Sequence, residues 1–115
     1  MSDCRVLIVE DDADTREALF AALEDAGFCV EQVSDGTSGL SRLAQGGVHV
    51  VLLDMHLPDM TGEEFAEKAG DAVRIIVLTA DSRMRLLDFA GNAQVLHKPV
   101  SLDDLEEAVK EACAA

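Results

Sequence analysis

A chain of 115 residues holds one domain, since domains commonly run to about 100 to 150 residues. Hydrophobic residues make up 49% of it, enough for a packed core and too many for a disordered acidic tail. Its 23 Asp and Glu stand against 9 Lys and Arg, a formal charge of -14. That balance excludes direct nucleic-acid binding, because displacing counterions from phosphates needs a basic footprint and no Lys/Arg cluster extends beyond Arg83 and Arg85.

Short apolar runs alternate with segments of helical period, the pattern of an α/β domain built on a parallel sheet. Strands are expected over Val6–Val9, Cys29–Val33, Val48–Leu53, Ile75–Leu78 and Gln94–Leu96. Several of these runs are apolar on both faces, as strands are when helices cover both sides of a sheet. The first helix is expected between Asp12 and Gly27, where Leu19, Ala22, Leu23 and Ala26 share one face and Gly27 is a natural stop. A second follows over Thr37–Gln45 and ends at Gly46-Gly47, a short third covers Gly62–Ala69, and a fourth covers Ser82–Ala90, with Met84 and Phe89 as apolar surface. Ser101 caps the last helix, whose Leu102, Leu105, Val109 and Ala112 form the expected apolar stripe.

The longest apolar runs, such as Val48–Leu53 with His49 inside it, fall far short of the roughly 20 residues that cross a bilayer, so no membrane segment is expected. The opening Met1-Ser2-Asp3-Cys4-Arg5 lacks the basic and apolar regions of a signal peptide, which makes the cytoplasm the expected compartment. Cys4, Cys29 and Cys113 are odd in number, widely spaced and without a CxxC pair; they read as free thiols.

In an open α/β sheet, ligands bind beyond the carboxyl ends of the strands. Here the first strand runs into Glu10-Asp11-Asp12, the third into Asp54, the fourth into Thr79 and the fifth into His97-Lys98-Pro99, whereas the second ends in Ser34-Asp35-Gly36, a helix cap. Crowded carboxylates repel one another, and a hard divalent cation with oxygen ligands relieves the repulsion; Mg2+ suits a few carboxylates while keeping waters for a phosphate group. A carboxylate beside such an ion can attack phosphorus to give an aspartyl phosphate, and Asp54 is the best placed. The ammonium of Lys98 and the hydroxyl of Thr79 suit the charge on a transferring phosphoryl group. His56 and His97 lie far apart in sequence and His49 falls within a strand, so an imidazole metal site is not favoured. Lys98-Pro99 is either a cis bond or a trans turn, since X-Pro bonds alone adopt cis at appreciable rates.

Four ordered motifs carry a resemblance over essentially the whole chain: residues 6–12 (VLIVEDD), 53–62 (LDMHLPDMTG), 76–80 (IVLTA) and Lys98-Pro99. The sequence resembles the receiver domains of two-component response regulators. The resemblance implies a single receiver domain over 1–115, a flavodoxin-like (βα)5 doubly wound fold and a five-stranded parallel sheet of order 2-1-3-4-5 with helices on both faces. It implies that Asp54 takes a phosphoryl group from a histidine kinase or histidine phosphotransfer protein. Glu10 and Asp11 would be the Mg2+ acid pair, with Asp54 and the backbone carbonyl of His56 completing the ligands. Thr79 and Lys98 would contact the phosphoryl group, Ala80 would be the small residue beside it, and Lys98-Pro99 would be cis. Such a chain catalyses only its own phosphotransfer and dephosphorylation and signals through altered protein contacts.

Two positions depart from the family pattern: Val95 stands where an aromatic switch is usual, and Val100 where Phe is frequent. The intervals Pro58 to Thr79 and Thr79 to Lys98 are also short, which implies shortened third and fourth helices. Two other functions share the fold pattern. A phosphatase with an aspartate nucleophile often has a carboxylate two residues further on, where this chain has His56. A binding module without phosphate turnover does not need the complete acid, Thr and Lys set.

Overall fold

Residues 6–9, 50–53 and 75–78 are apolar without a break because each run lies in the interior of one sheet, covered on both faces. The computed structural model describes residues 4–80 and 93–114. Its elements are β1 (Arg5–Val9), α1 (Ala13–Asp25), β2 (Cys29–Val33), α2 (Gly36–Ala44), β3 (Val50–Asp54), α3 (Gly62–Ala69), β4 (Arg74–Thr79), β5 (Ala93–His97) and α4 (Leu102–Ala114). All strand pairs are parallel, in the order β2-β1-β3-β4-β5, which is the flavodoxin-like fold expected. The helix expected over 82–90, with Met84 and Phe89, lies outside the described residues.

Alternation along each strand divides the core into two layers. Leu7, Val9, Val51, Leu53, Ile75 and Val77 point to one face and pack with Phe65 and Ala66 of α3 and with Leu40 and Leu43 of α2. The intervening Val6, Ile8, Val50, Leu52, Ile76 and Leu78 point to the other, against Leu23 of α1 and Leu105, Ala108 and Val109 of α4. Val95 is partly buried against the first layer and Leu96 against the second, so the position where an aromatic was missed is a packed aliphatic one.

Each described helix starts on a side-chain cap, which satisfies amide donors that have no partner within the helix. Asp12 accepts from the Thr15 amide and Asp35 from the Ser38 amide. Thr61 and Glu64 form a reciprocal capping box at α3, and Ser101 Oγ accepts from the Asp104 amide at α4. After α1 the chain turns through Gly27 at φ 99, a backbone region costly for any residue with a Cβ.

Three expectations need correcting. Cys4 and Cys113, read as free thiols, are joined in a disulfide, while Cys29 keeps its thiol. The pair is 109 residues apart in sequence, yet the start of β1 and the end of α4 meet at the amino end of the sheet with a Cα–Cα distance of 5.9 Å. β3 begins at Val50 rather than Val48, because His49 bridges to the neighbouring strand through its ring as well as its backbone: Nδ1 accepts from the Arg5 amide at 3.0 Å. Leu102, placed on the apolar stripe of the last helix, is 56% exposed, and Ala108 takes its place against the sheet. As the first residue of α4, Leu102 projects past the strand ends toward the groove beside Lys98. The Lys98-Pro99 bond is cis.

Candidate functional site

Strand register assembles the site. Val9 stands opposite Leu53, Asp54 opposite Leu78, and Thr79 opposite His97. Glu10 after β1, Asp54 closing β3, Thr79 closing β4 and Lys98 after β5 therefore fall in one row at the carboxyl edge of the sheet, where an open α/β fold offers its crevice. One carboxylate oxygen from each of Glu10, Asp11 and Asp54 lies within 4.8 Å of the others. Lys98 Nζ is 3.9 Å from Asp54 Oδ1. Thr79 is buried, Asp11 is exposed, and Glu10 is only 4% exposed.

Burial and charge act together on this cluster. Burial pushes the Glu10 carboxyl above its ordinary value, the charges of Asp54 and Asp11 add to that, and the Asp12 amide and Lys98 oppose it. Asp54 is also raised, first by burial and further by Asp11, against the pull of Lys98. Asp12, the third acid of the run, serves a different purpose. Its Oδ2 accepts from the Thr15 amide at 2.9 Å and the Thr15 hydroxyl at 2.6 Å, and these bonds hold it below the usual carboxylate range. Its own amide donates to Glu10 Oε2 at 3.1 Å.

Two further groups hold Glu10, and neither was apparent from the sequence. Arg16 Nη1 donates to the Glu10 carbonyl at 3.1 Å while its Nε reaches Gln32 Oε1 at 2.9 Å. The Glu10 amide donates to the Val33 carbonyl at the end of β2 at 3.2 Å. Arg16 sits one helical turn past the Asp12 cap, a spacing that in retrospect aims it back at the strand end.

On the far side, the loop from β3 to α3 folds over tightly: His56 bridges Thr61 in antiparallel fashion and the Gly62 amide donates to the Met55 carbonyl at 3.1 Å. The His56 side chain is exposed. His49 lies at the opposite, amino end of the sheet. Ala80 and Lys98 border an apolar groove of about 550 Å3 that runs between Leu19 of α1 and Val100, Leu102 and Leu105.

Among the described residues the donor set is three carboxylates without a thiolate or imidazole, which fits a hard cation of the Mg2+ type rather than zinc or copper. A model of the response regulator receiver domain matches residues 6–110. The chain belongs to the response regulator receiver family. Among relatives of this receiver, the response regulator receiver protein CpdR of Brucella abortus is 33% identical over 117 residues, covering 96% of this chain and 98% of CpdR. Other relatives are longer: the chain spans only 46% of the response regulator MprA from a Mycobacterium species, at 36% identity over 88% of this chain. Among solved structures, a CheY-like receiver domain protein from Methanospirillum hungatei superposes with a TM-score of 0.88 at 30% identity, covering 98% of this chain and 95% of that one. The receiver domain of Saccharomyces cerevisiae Ssk1, crystallised with the histidine phosphotransfer signalling protein Ypd1, matches with a TM-score of 0.84 at 26% identity, covering 98% and 90%.

Proposed function

We propose that this receiver takes a phosphoryl group onto Asp54 from a histidine kinase or histidine phosphotransfer protein, with Mg2+ held by Glu10, Asp11, Asp54 and the main-chain carbonyl of His56. The observation that carries this is the meeting of three carboxylates within 4.8 Å with Lys98 Nζ 3.9 Å from one of them. When bound, Mg2+ would supply positive charge against the phosphoryl oxygens. An Asp54 carboxylate oxygen attacks phosphorus in line; the P–N bond of the phosphohistidine breaks, its electron pair stays on the imidazole, and that ring takes up a proton. Lys98 and Thr79 meet the oxygens of the transferring group with an ammonium and a hydroxyl. Water later cleaves the acyl phosphate, so the chain turns over only its own phosphoryl group.

The groove beside Lys98 is the surface on which a phosphodonor protein would settle, since it is apolar and opens next to Asp54's ion-pair partner. The Ssk1 receiver crystallised with a histidine phosphotransfer protein supports that kind of donor. Output follows through changed protein contacts, without the swing of an aromatic ring at position 95. We place the reaction, as a single receiver domain over 1–115, in the cytoplasm.

Labelling with acetyl phosphate, read as a mass increase on the intact chain, tests this reading. The parent should be labelled with Mg2+ and not in chelator, and Asp54→Ala should take no label while keeping its fold. Equal labelling of Asp54→Ala and parent overturns the assignment. A parent that never labels but binds Mg2+ points to a binding module, and one that releases phosphate from small phosphomonoesters to a phosphatase.

A further inference from the structure

The loop between β3 and α3 is tied to a second helix by a residue outside the acidic cluster. Asp59, at the loop's outer turn, extends its carboxylate across to the N-terminus of α2. Oδ1 accepts from the Gly36 amide at 2.9 Å, and Oδ2 accepts from the Thr37 amide at 2.8 Å and the Thr37 hydroxyl at 2.5 Å. Asp35 already caps α2 from within its own chain segment, taking the Ser38 amide at 2.7 Å. Two aspartates thus share one helix start: Asp35 serves the Ser38 amide, and Asp59 serves the Gly36 and Thr37 amides, 23 and 22 residues before it.

Packing repeats the connection. A Cβ on Gly36 would lie 2.6 Å from both Cγ and Sδ of Met60, so the Met60 side chain rests directly on the first residue of α2 and would have to shift to admit a larger residue there. Met60 is in turn partly buried against the core layer below. From α2 the chain leads back to the other half of the acidic cluster, because Val33, three residues before Gly36, accepts the Glu10 amide. The strand end that bears Glu10 and Asp11 and the loop that follows Asp54 are therefore joined around the outside of the pocket, through β2, the start of α2 and Asp59.

We infer that Asp59 is a positioning residue for the metal pocket, clamping the β3–α3 loop onto α2 and so fixing the main chain that presents the His56 carbonyl. The inference rests on the Mg2+ site proposed above and extends it to a residue that touches neither metal nor phosphoryl group. A carboxylate suits the task, since bonds from amides to a charged acceptor are about twice as strong as neutral ones and a helix N-terminus favours negative charge. The three donors hold Asp59 down to about 2, so the clamp stays ionised throughout the range in which Mg2+ binds.

The test is a Mg2+ titration of the full chain followed by amide chemical shifts, on the parent and on Asp59→Ala, Asp59→Asn, Thr37→Val and Asp11→Asn. Asp59→Ala should raise the Mg2+ Kd about 10-fold, the low end for loss of an outer-shell partner. Acetyl phosphate labelling should slow by the same factor at limiting Mg2+ and recover at saturation, because Asp54 and Lys98 are untouched. Asp59→Asn, which keeps one acceptor oxygen, should fall between parent and Asp59→Ala. A folded Asp59→Ala that melts lower but keeps the parental Kd overturns the inference and leaves Asp59 only a stabiliser of α2. If that variant does not fold, Thr37→Val decides: it should raise Kd about threefold, the worth of part of one hydrogen bond, and an unchanged Kd overturns the clamp. Loss of Mg2+ response in Asp11→Asn but not in Asp59→Ala defeats the clamp alone, whereas a parent that ignores Mg2+ defeats the site and the clamp together.

Discussion

At the carboxyl edge of the sheet Glu10, Asp11 and Asp54 crowd their charges within 4.8 Å, while at the amino edge Cys4, buried among apolar side chains, is bonded to Cys113 at the far end of the chain. The same parallel strands supply both. Since all strands run one way, every strand start lies at one edge and every strand end at the other, so the fold can use one edge for holding and the other for chemistry. The amino edge closes the chain on itself. The carboxyl edge keeps carboxylates in a setting that raises two of them above their ordinary pKa, a cost in the folded metal-free state that a bound cation would offset.

The comparison can be broken most severely at the amino edge. Cys113→Ser should lower unfolding stability by about 2 to 5 kcal/mol, the usual range for removing a native disulfide, with the long loop it closes favouring the upper part. Reduction of the parent should do the same. Acetyl phosphate labelling per folded molecule should not change, since the bond is at the opposite edge from Asp54. Urea unfolding with and without reductant, beside labelling of the same samples, is the measurement. An unchanged midpoint would show that the amino edge does not hold the fold, and reduced labelling would show that the two edges are not independent.

Mg2+ should act from the other edge. At 100 times its dissociation constant it should stabilise the domain by about 2.7 kcal/mol, because it binds the folded pocket and not the unfolded chain. Cys113→Ser should show the same increment as the parent, as distant sites add within about 0.5 kcal/mol. Asp11→Asn should lose most of it. A magnesium-insensitive parent melt would leave the carboxyl edge with crowding and no relief.

How far these features could be read from sequence depended on distance along the chain. The interior runs at 6–9, 50–53 and 75–78 announce their strands, and each leads into a residue of the row at the carboxyl edge, so Glu10, Asp54 and Thr79 could be found without knowing any register, as could Lys98 after the shorter fifth run. Ser101 and Asp35 likewise declare their caps locally. What escaped was tertiary. The Cys4–Cys113 bond spans 109 residues and has no local signature. Nothing beside Asp59 in the chain marks its role, because its partners belong to α2. Leu102 fitted a helical stripe by periodicity, but the first turn of α4 starts beyond the sheet that the stripe covers. His49 broke an apolar run that was read as strand throughout, and its ring replaced a ladder bond there.

The smallest effect separates two kinds of carboxylate at the same edge. Asp12 and Asp59 accept bonds from helix N-termini and are lowered, so what they add to stability is present above the ordinary carboxylate range and lost as pH falls through their folded values, toward about 2 for Asp59. Glu10 and Asp54 are raised, so their contribution has the opposite sign: it is complete below their unfolded values of 4.5 and 3.8 and lost as pH rises through the higher folded ones. In chelator the parent should therefore lose stability as pH rises out of the acid range toward neutrality. Asp54→Asn removes the repulsions with Glu10 and Asp11 within 4.8 Å, against the attractions of Lys98 at 3.9 Å and, more weakly, of His56. Burial adds to the repulsion, and the net is worth at least about 1 kcal/mol, the value at a water-like dielectric. The metal-free variant should accordingly be more stable than the parent by at least about 1 kcal/mol at pH 7, with a flatter pH profile and a smaller Mg2+ response. Chemical denaturation of both proteins in chelator, from pH 4 upward, measures all three. A variant less stable than its parent at neutral pH would mean that Lys98 outweighs the crowding, and that Asp54 belongs with the capping carboxylates and not with the pocket.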